Sequence, residues 1–558
     1  MTSNLRIRRA AADTGPARTK QIARALALGS AWVLLIAACG GDDAGAPRPI
    51  PGWLFFPREA WALLSPPAGD APSPARPGGQ LERYEALDFA EPLRTVAPAQ
   101  HPFMAANPGS NMHDDAAMTD TYRAPGPVGR APEVRTRSQG FGGFGTIAFD
   151  RRKRIVGVYG NGRGFEIQLL DPDTLRKLAA YPLPPRPWSF PLEGIAPWKY
   201  IGAGMYFYLD ERDRAVVPTT ENAIEVVEVP DDPARGMRSV RRYDLSAHVA
   251  ALEWPERDSV AWVLPEWSGR RFWYATTRGM IGTVDVGDGH VHATRMGDEI
   301  VENSFAVGED GVFIATDRAL YRFHADDEGG IVTDWRAEYD RGPAAKPGMI
   351  TRGTGTSVSL VGGADGLVVI TDNAEPRIHA LFVRRADGTV ACSEPLFAEG
   401  RSATDISGME LELADEQGAP TGHFAAIFEN NWGPHSFPVA HPEPGLTRVD
   451  AIRLPDGGFR CETVWESPVR GVNVAKLSRD AGLVYTYFRG DDLEPVTQWY
   501  LSAIDVTTGR TVYRLRVGAG QGFNNWAGSL FLHPDGGVLY TTTIFGMAMV
   551  RDAPTSAR

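Results

Sequence analysis

The sequence predicts an all-β protein: a single β-propeller of eight four-stranded blades, with seven as the alternative count. Three observations predict it. One hairpin pattern recurs from about residue 138 to the end, DG, TG, GG and PD turns punctuate it, and long helical periodicity is nearly absent. Hydrophobic residues are 43% and charged residues 23% of the 558, a normal balance for a chain with a large core.

In chain order, Arg6, Arg8, Arg9, Arg18, Lys20 and Arg24 precede the apolar run ALALGSAWVLLIAA, which ends at Cys39. A basic stretch before an apolar run too short for a comfortable membrane span reads as an export signal over residues 1–38. The tetrapeptide IAAC resembles the lipobox of bacterial lipoproteins. That resemblance implies acylation of Cys39, a membrane anchor and a cell-envelope address. Residues 39–80, rich in Pro, Gly and Ala, read as a flexible tether, interrupted by the apolar GWLFFPREAWALL. Residues 81–137 form an N-terminal arm, and the propeller runs over 138–552.

The repeat is clearest in the third strand of each unit: FEIQLLDPDT, IEVVEVPDD, IGTVDVGDG, LYRFHADDEGG, IHALFVRRADG, LTRVDAIRLPDGG, LSAIDVTTG and MAMVRDAP. The last unit shows only three strands, SLFLHP, GVLYTTT and GMAMVRD. A ring left open there would expose two sheet edges, so PEVRTRS (132–138) is expected to supply the missing strand.

Export permits a disulfide, and once Cys39 is acylated the remaining thiols are Cys392 and Cys461. They lie in similar strand contexts, TVACSEPLF and GFRCETVW. The expected bridge joins the outer strands of the fifth and sixth units. No CxxCH occurs, so covalent haem is not supported.

Lys and Arg total 57 against 69 Asp and Glu, a formal charge of −12. Residues 1–39 hold six basic residues and one acidic, leaving −17 on the remainder. An acidic body argues against nucleic acid as a partner.

Several segments, among them HPFMAANPGSNMHDDAAMTDTYR, GMYFYLDERDRAVVPT, VVITDNAEPRIHALFVR, FENNWG and QGFNNWAGSLFLHPDGGVLY, are similar to a family of secreted bacterial proteins in the quinoprotein-like propeller superfamily. The resemblance implies the fold and an exported address, and no agreed reaction. The superfamily's name suggests pyrroloquinoline quinone. The chain lacks the adjacent cysteine pair of the enzymes that use it, so that cofactor is not supported.

In a propeller, loops between second and third strands open on the same face as the connections between blades. That places Asp372 and Asn373 (TDNAEP), Asp405 (GRSATDIS), Glu429 and Asn430 (ENNWG), and Asn524 and Asn525 (GFNNWAG) around one mouth of the central channel. Carboxylates and amide oxygens are hard donors. They suit Ca²⁺, with Asp372, Asp405 and Glu429 as the metal candidates, or a small polar ligand. A protein partner at the mouth is the other expectation.

The stretch SNMHDDAAMTDTY (110–122) reads first as a polar lid or arm over the mouth. Its second reading is catalytic, with His113 as a base beside Asp114, in a metal-assisted lyase or hydrolase. No HExxH, GxSxG elbow or phosphate loop is present, and GFGGFG at 140–145 leads into a strand rather than a helix.

Overall fold

The structure is a computed structural model. It describes residues 81–83, 92–106, 109–140, 142–161, 164–185, 206–249, 258–433, 442–471, 473–490, 498–525 and 527–553. The export signal, Cys39 and the tether lie outside the described residues.

Eight antiparallel sheets follow one another along the chain, each with a four-stranded core: an eight-bladed propeller. Blade 1 is Gly143–Phe149, Ile155–Asn161, Gly164–Leu170 and Lys177–Leu183. The innermost strands of blades 2 to 8 begin at Tyr208, Val260, Ala306, Ser359, Met409, Lys476 and Leu530. Among the described residues the other regular elements are three short arm strands, Leu81–Arg83, Thr95–Val96 and Thr121–Tyr122, and two short 3-10 turns.

The burial pattern shows why these segments make blades. Inner strands such as Val260–Pro265 are buried at every residue, because both sheet faces pack on neighbouring blades. Outer strands such as Ile331–Glu338 alternate towards solvent. Apolar clusters fill the spaces between blades. Val369, Phe382, Phe424 and Val449 join blades 5 and 6, while Phe149, Tyr159, Tyr540 and Met549 join blades 8 and 1.

Blade 8 takes its outermost strand from upstream. Glu133–Ser138 pairs antiparallel with Gly546–Arg551, Val134 facing Val550, so the first and last parts of the ring share one sheet. Cys392 and Cys461 are bonded, with Cα atoms 5.6 Å apart, between the outer strands Val390–Pro395 of blade 5 and Phe459–Ser467 of blade 6.

The arm before the closing strand runs a route the sequence did not suggest. Leu81–Arg83 extends the outer edge of blade 7, and Thr95–Val96 pairs with the innermost strand of blade 6. His101 and Phe103 then reach the turn between the first two strands of blade 3. The His101 ring lies 4.6 Å from that of Trp267, and Phe103 covers Gly269. From there the chain turns into the channel.

Candidate functional site

Residues 109–122 lie inside the channel. They form a plug held by its own backbone carbonyls, each accepting from the inner strand of a different blade. Gly109 accepts from Phe149 (2.8 Å), Ser110 from Leu209 (2.9 Å), Ala116 from Val307 (2.9 Å), Ala117 from Leu360 (2.8 Å), Thr119 from Glu410 (2.9 Å) and Asp120 from Leu477 (3.1 Å). Six of the eight blades are thereby tied to one short segment. Gly109 is required where the plug begins: its φ is +92°, and a Cβ there would meet the Phe149 ring at 2.6 Å. Asp114, Met118 and Asp120 also have positive φ, an unfavourable backbone held in place by the surrounding blades.

This corrects the expectation of a lid over the mouth. The segment is buried from Ser110 to Ala116, and it approaches from the side of the first-to-second-strand turns. Its polar side chains serve one another and the channel wall rather than solvent.

His113 is 2% exposed, and its Nδ1 lies 2.8 Å from Asp120 Oδ2. Its partner is therefore Asp120, not Asp114, whose carboxylate accepts from the Gly109 amide. Asp120 also accepts from Ser407 and from the Lys476 ammonium, and Lys476 donates to the Met112 carbonyl at 2.7 Å. Burial alone would raise the Asp120 carboxyl. The charges and hydrogen bonds of His113 and Lys476 outweigh it and hold the group below the usual range. Burial lowers Lys476, and Asp120 opposes that shift. Burial raises Asp114 well above the ordinary range, with repulsion from Asp115 adding to it, and lifts Asp115 to about 6. Glu410 is raised well above its range by burial and by Asp120.

The residues assigned to the mouth do share one face. Asn373 N donates to Asp340 O (2.8 Å), Asn431 N to Ala403 O (2.8 Å), and Ile544 N to Asn524 O (2.9 Å), so inner loops and blade connections meet as topology requires. Most of these residues act as staples between adjacent blades. Asn373 Nδ2 donates to the carbonyls of Arg341 (2.9 Å) and Ala344 (3.1 Å), and Asn430 Nδ2 to that of Arg401 (2.9 Å). Asn525 closes its own turn through Gly528. Asp372 holds the His379 ring, Nδ1 at 2.8 Å, and burial raises its carboxyl although His379 opposes the rise. Glu429 accepts from Thr486 and is raised to about 8 by burial, against the hydrogen bonds from Thr486 and the Asn473 amide.

Asp372, Asp405 and Glu429 are thus engaged separately. Among the described residues no three of His, Cys, Asp and Glu group as ion ligands.

Asp405 instead comes together with a residue that sequence reading missed. Glu302 lies on the connection from blade 3 to blade 4, and Asp405 on the connection from blade 5 to blade 6. The connection between them, from blade 4 to blade 5, bridges the pair. The Ile350 amide lies against Asp405, while the Thr351 amide and hydroxyl lie against Glu302. Burial lifts Glu302 to about 7, and burial with repulsion from Glu302 raises Asp405 well above its range. A single glutamate after EIV carries no sequence signal of its own. Three consecutive blade connections place it.

Beside the plug lies a cavity of about 20 Å³, lined by Asn111, His113, Tyr206, Trp262, Ser304 and Phe305. It has room for about one water. A tricyclic quinone does not fit there, and the neighbouring axis is filled by the plug.

No protein-family model matches the chain, and no curated protein matches it. Among solved structures it is similar to the quinohemoprotein alcohol dehydrogenase from Comamonas testosteroni, at 9% identity over 82% of each chain with a TM-score of 0.47. It is also similar to the β-propeller domain of Cps50 (Swd1) from Myceliophteria thermophila, at 9% identity over 61% of this chain and 93% of that one, TM-score 0.35. Saccharomyces cerevisiae Sqt1 shows 11% identity over 61% of this chain and 93% of its own, TM-score 0.33.

Proposed function

We propose that this protein is a lipid-anchored binding propeller of the cell envelope, which takes a small polar ligand or a protein partner at the mouth of its channel. One observation carries the reading: the plug fills the axis, so the polar groups available to a ligand are those of the blade connections above it. The buried carboxyl of Glu302 and the half-buried one of Asp405 are chief among them. The lipobox supplies the address, and the acidic body keeps nucleic acid off the surface. The test is isothermal titration of the purified mature chain with a panel of neutral saccharides and polyols. Saturable binding that weakens at least tenfold in Asp405→Asn supports the reading. Equal affinity in wild type and variant would move the ligand elsewhere.

The second reading is a hydrolase, favoured by one geometric relationship. Ser357 Oγ lies 3.3 Å from His113 Nε2, while His113 Nδ1 faces Asp120. That is the order of groups needed to activate a serine hydroxyl. Against it, Ser357 is 3% exposed and already bonded to Ser304 Oγ at 3.0 Å. A fluorophosphonate probe decides between the two: labelling of Ser357 in folded protein establishes the hydrolase, and no labelling leaves the binding reading.

A further inference from the structure

We propose that Glu302 and Asp405 hold a hard divalent cation of the calcium class at the mouth, with the Thr351 hydroxyl beside them. This rests on the reading of the mouth as the ligand face and says what anchors the ligand there.

Glu299 is served by Thr316, by the Tyr321 hydroxyl (2.9 Å) and by Arg336 (3.0 Å). Asp317 is paired with Arg341 at 2.5 Å. Glu302 lies between those two in sequence, is 7% exposed, and has no Lys or Arg partner among the described residues. Its Oε1 is buried with no hydrogen-bond partner. A buried carboxylate left in that state is costly unless a cation or a proton supplies the missing positive charge.

The surroundings are fixed rather than adaptable. The Asp405 amide donates to Asn431 Oδ1 at 2.8 Å, which anchors the backbone beneath its carboxyl. The strap from blade 4 to blade 5 lies directly on this segment. Gly355 has φ +70°, and a Cβ there would stand 2.1 Å from the Thr404 carbonyl. A Cβ on Gly353 would meet Glu302 Oε2 at 2.8 Å. Neighbouring strap residues, Ile350 and Thr351, each lie against one of the two carboxylates, so the pair sits within a short span. Two carboxylates and a hydroxyl are hard oxygen donors, suited to Ca²⁺ or Mg²⁺ rather than to the softer Zn²⁺ or Cu⁺. A bound polyol would complete the coordination.

The competing occupant is a proton shared by the two carboxyls, so the measurement is made at pH 8, above the value of about 7 to which Glu302 is raised. Chelator-treated mature protein is titrated with CaCl₂ by calorimetry, and Tb³⁺ luminescence is read with excitation of the nearby aromatic rings, which needs no variant. The expected result is one site per chain, a rise in Tm with CaCl₂, and loss of both in Glu302→Gln and Asp405→Asn but not in the exposed Glu416→Gln. Absence of heat, of sensitised Tb³⁺ emission and of a Tm shift in folded wild type would overturn the cation. Retained saccharide or polyol binding in that same protein would leave the mouth reading standing without it.

Discussion

The His113 imidazole and the Asp120 carboxylate, 2.8 Å apart, close a loop across the plug: the Asp120 amide donates to the His113 carbonyl at 3.1 Å, while the Asp120 carbonyl accepts from Leu477 of blade 7. Lys476 of blade 7 completes the set, with its side chain and that of Asp120 both fully buried. The plug is therefore an integral piece of the core, stabilised by a charge network that no solvent screens.

Removing the central anion should be severe. Asp120→Ala leaves the Lys476 ammonium in the interior without its closest counter-charge, which costs about 3–5 kcal/mol. Urea unfolding of the purified chain measures it. Ser357→Ala, which deletes the long bond to His113 and the one from Ser304, should cost about 1–2 kcal/mol.

Stability should fall as pH rises from about 5 to 8. Asp115, Glu302 and Glu429 titrate near 6, 7 and 8 in the folded chain, each raised first by burial. Between the ordinary carboxyl pKa and those values the native state keeps protons that the unfolded chain has released, so raising the pH favours unfolding. Asp120 and Asp450, both held low, act in the opposite sense only in acid, while His101, lowered to about 4 by burial, offsets part of the decline below its ordinary pKa. Thermal melts across this range without added cation should show the decline, and Glu429→Gln should flatten its upper part. Constant or rising Tm would contradict the assignment.

The disulfide closes a loop of 69 residues within the ring, worth about 4 kcal/mol in the chain-entropy model. Reduction, or Cys461→Ser, should lower the urea midpoint accordingly while the eight blades remain assembled. Peptide mapping of non-reduced protein should recover the linked Cys392 and Cys461 peptides.

Membrane attachment is expected to depend on Cys39. Stable anchoring needs more than one acyl chain, which a bacterial lipoprotein carries. Cys39→Ser should shift the protein from the membrane fraction to a soluble or uncleaved form. An unchanged fraction and mass would remove the anchor from the account.

The repeat was legible because each blade buries its third strand between two others, and FEIQLLDPDT and its seven counterparts keep that apolar core with a turn signal at a fixed offset. The closing strand was legible by subtraction, since the last unit is one strand short. The bridge was legible because Cys392 and Cys461 occupy the same strand of successive units. The plug was not. HDDAAMTDTY carries the composition of a solvated arm, and nothing local reveals that eight inner strands surround it. The asparagines misled for a related reason. Asn430 Oδ1 is taken by the Trp432 amide at 3.1 Å, and Asn373 is turned so that its Nδ2, not its oxygen, meets the carbonyls of the adjacent blade connection. Glu302 was invisible because its partner, Asp405, is brought to it only by closure of the ring.

The central claim is that residues 109–122 are a built-in axial plug, which leaves ligand chemistry to the mouth. Hydrogen exchange of the native chain tests it most directly, at the amides of Phe149, Leu209, Val307, Leu360, Glu410 and Leu477. Their acceptors are the plug carbonyls, and the account predicts that all six exchange with the slowest class in the protein, near the global unfolding limit. Exchange at the rates of exposed loops, with the neighbouring blade amides still protected, would show that the channel is open and the plug is not part of the fold.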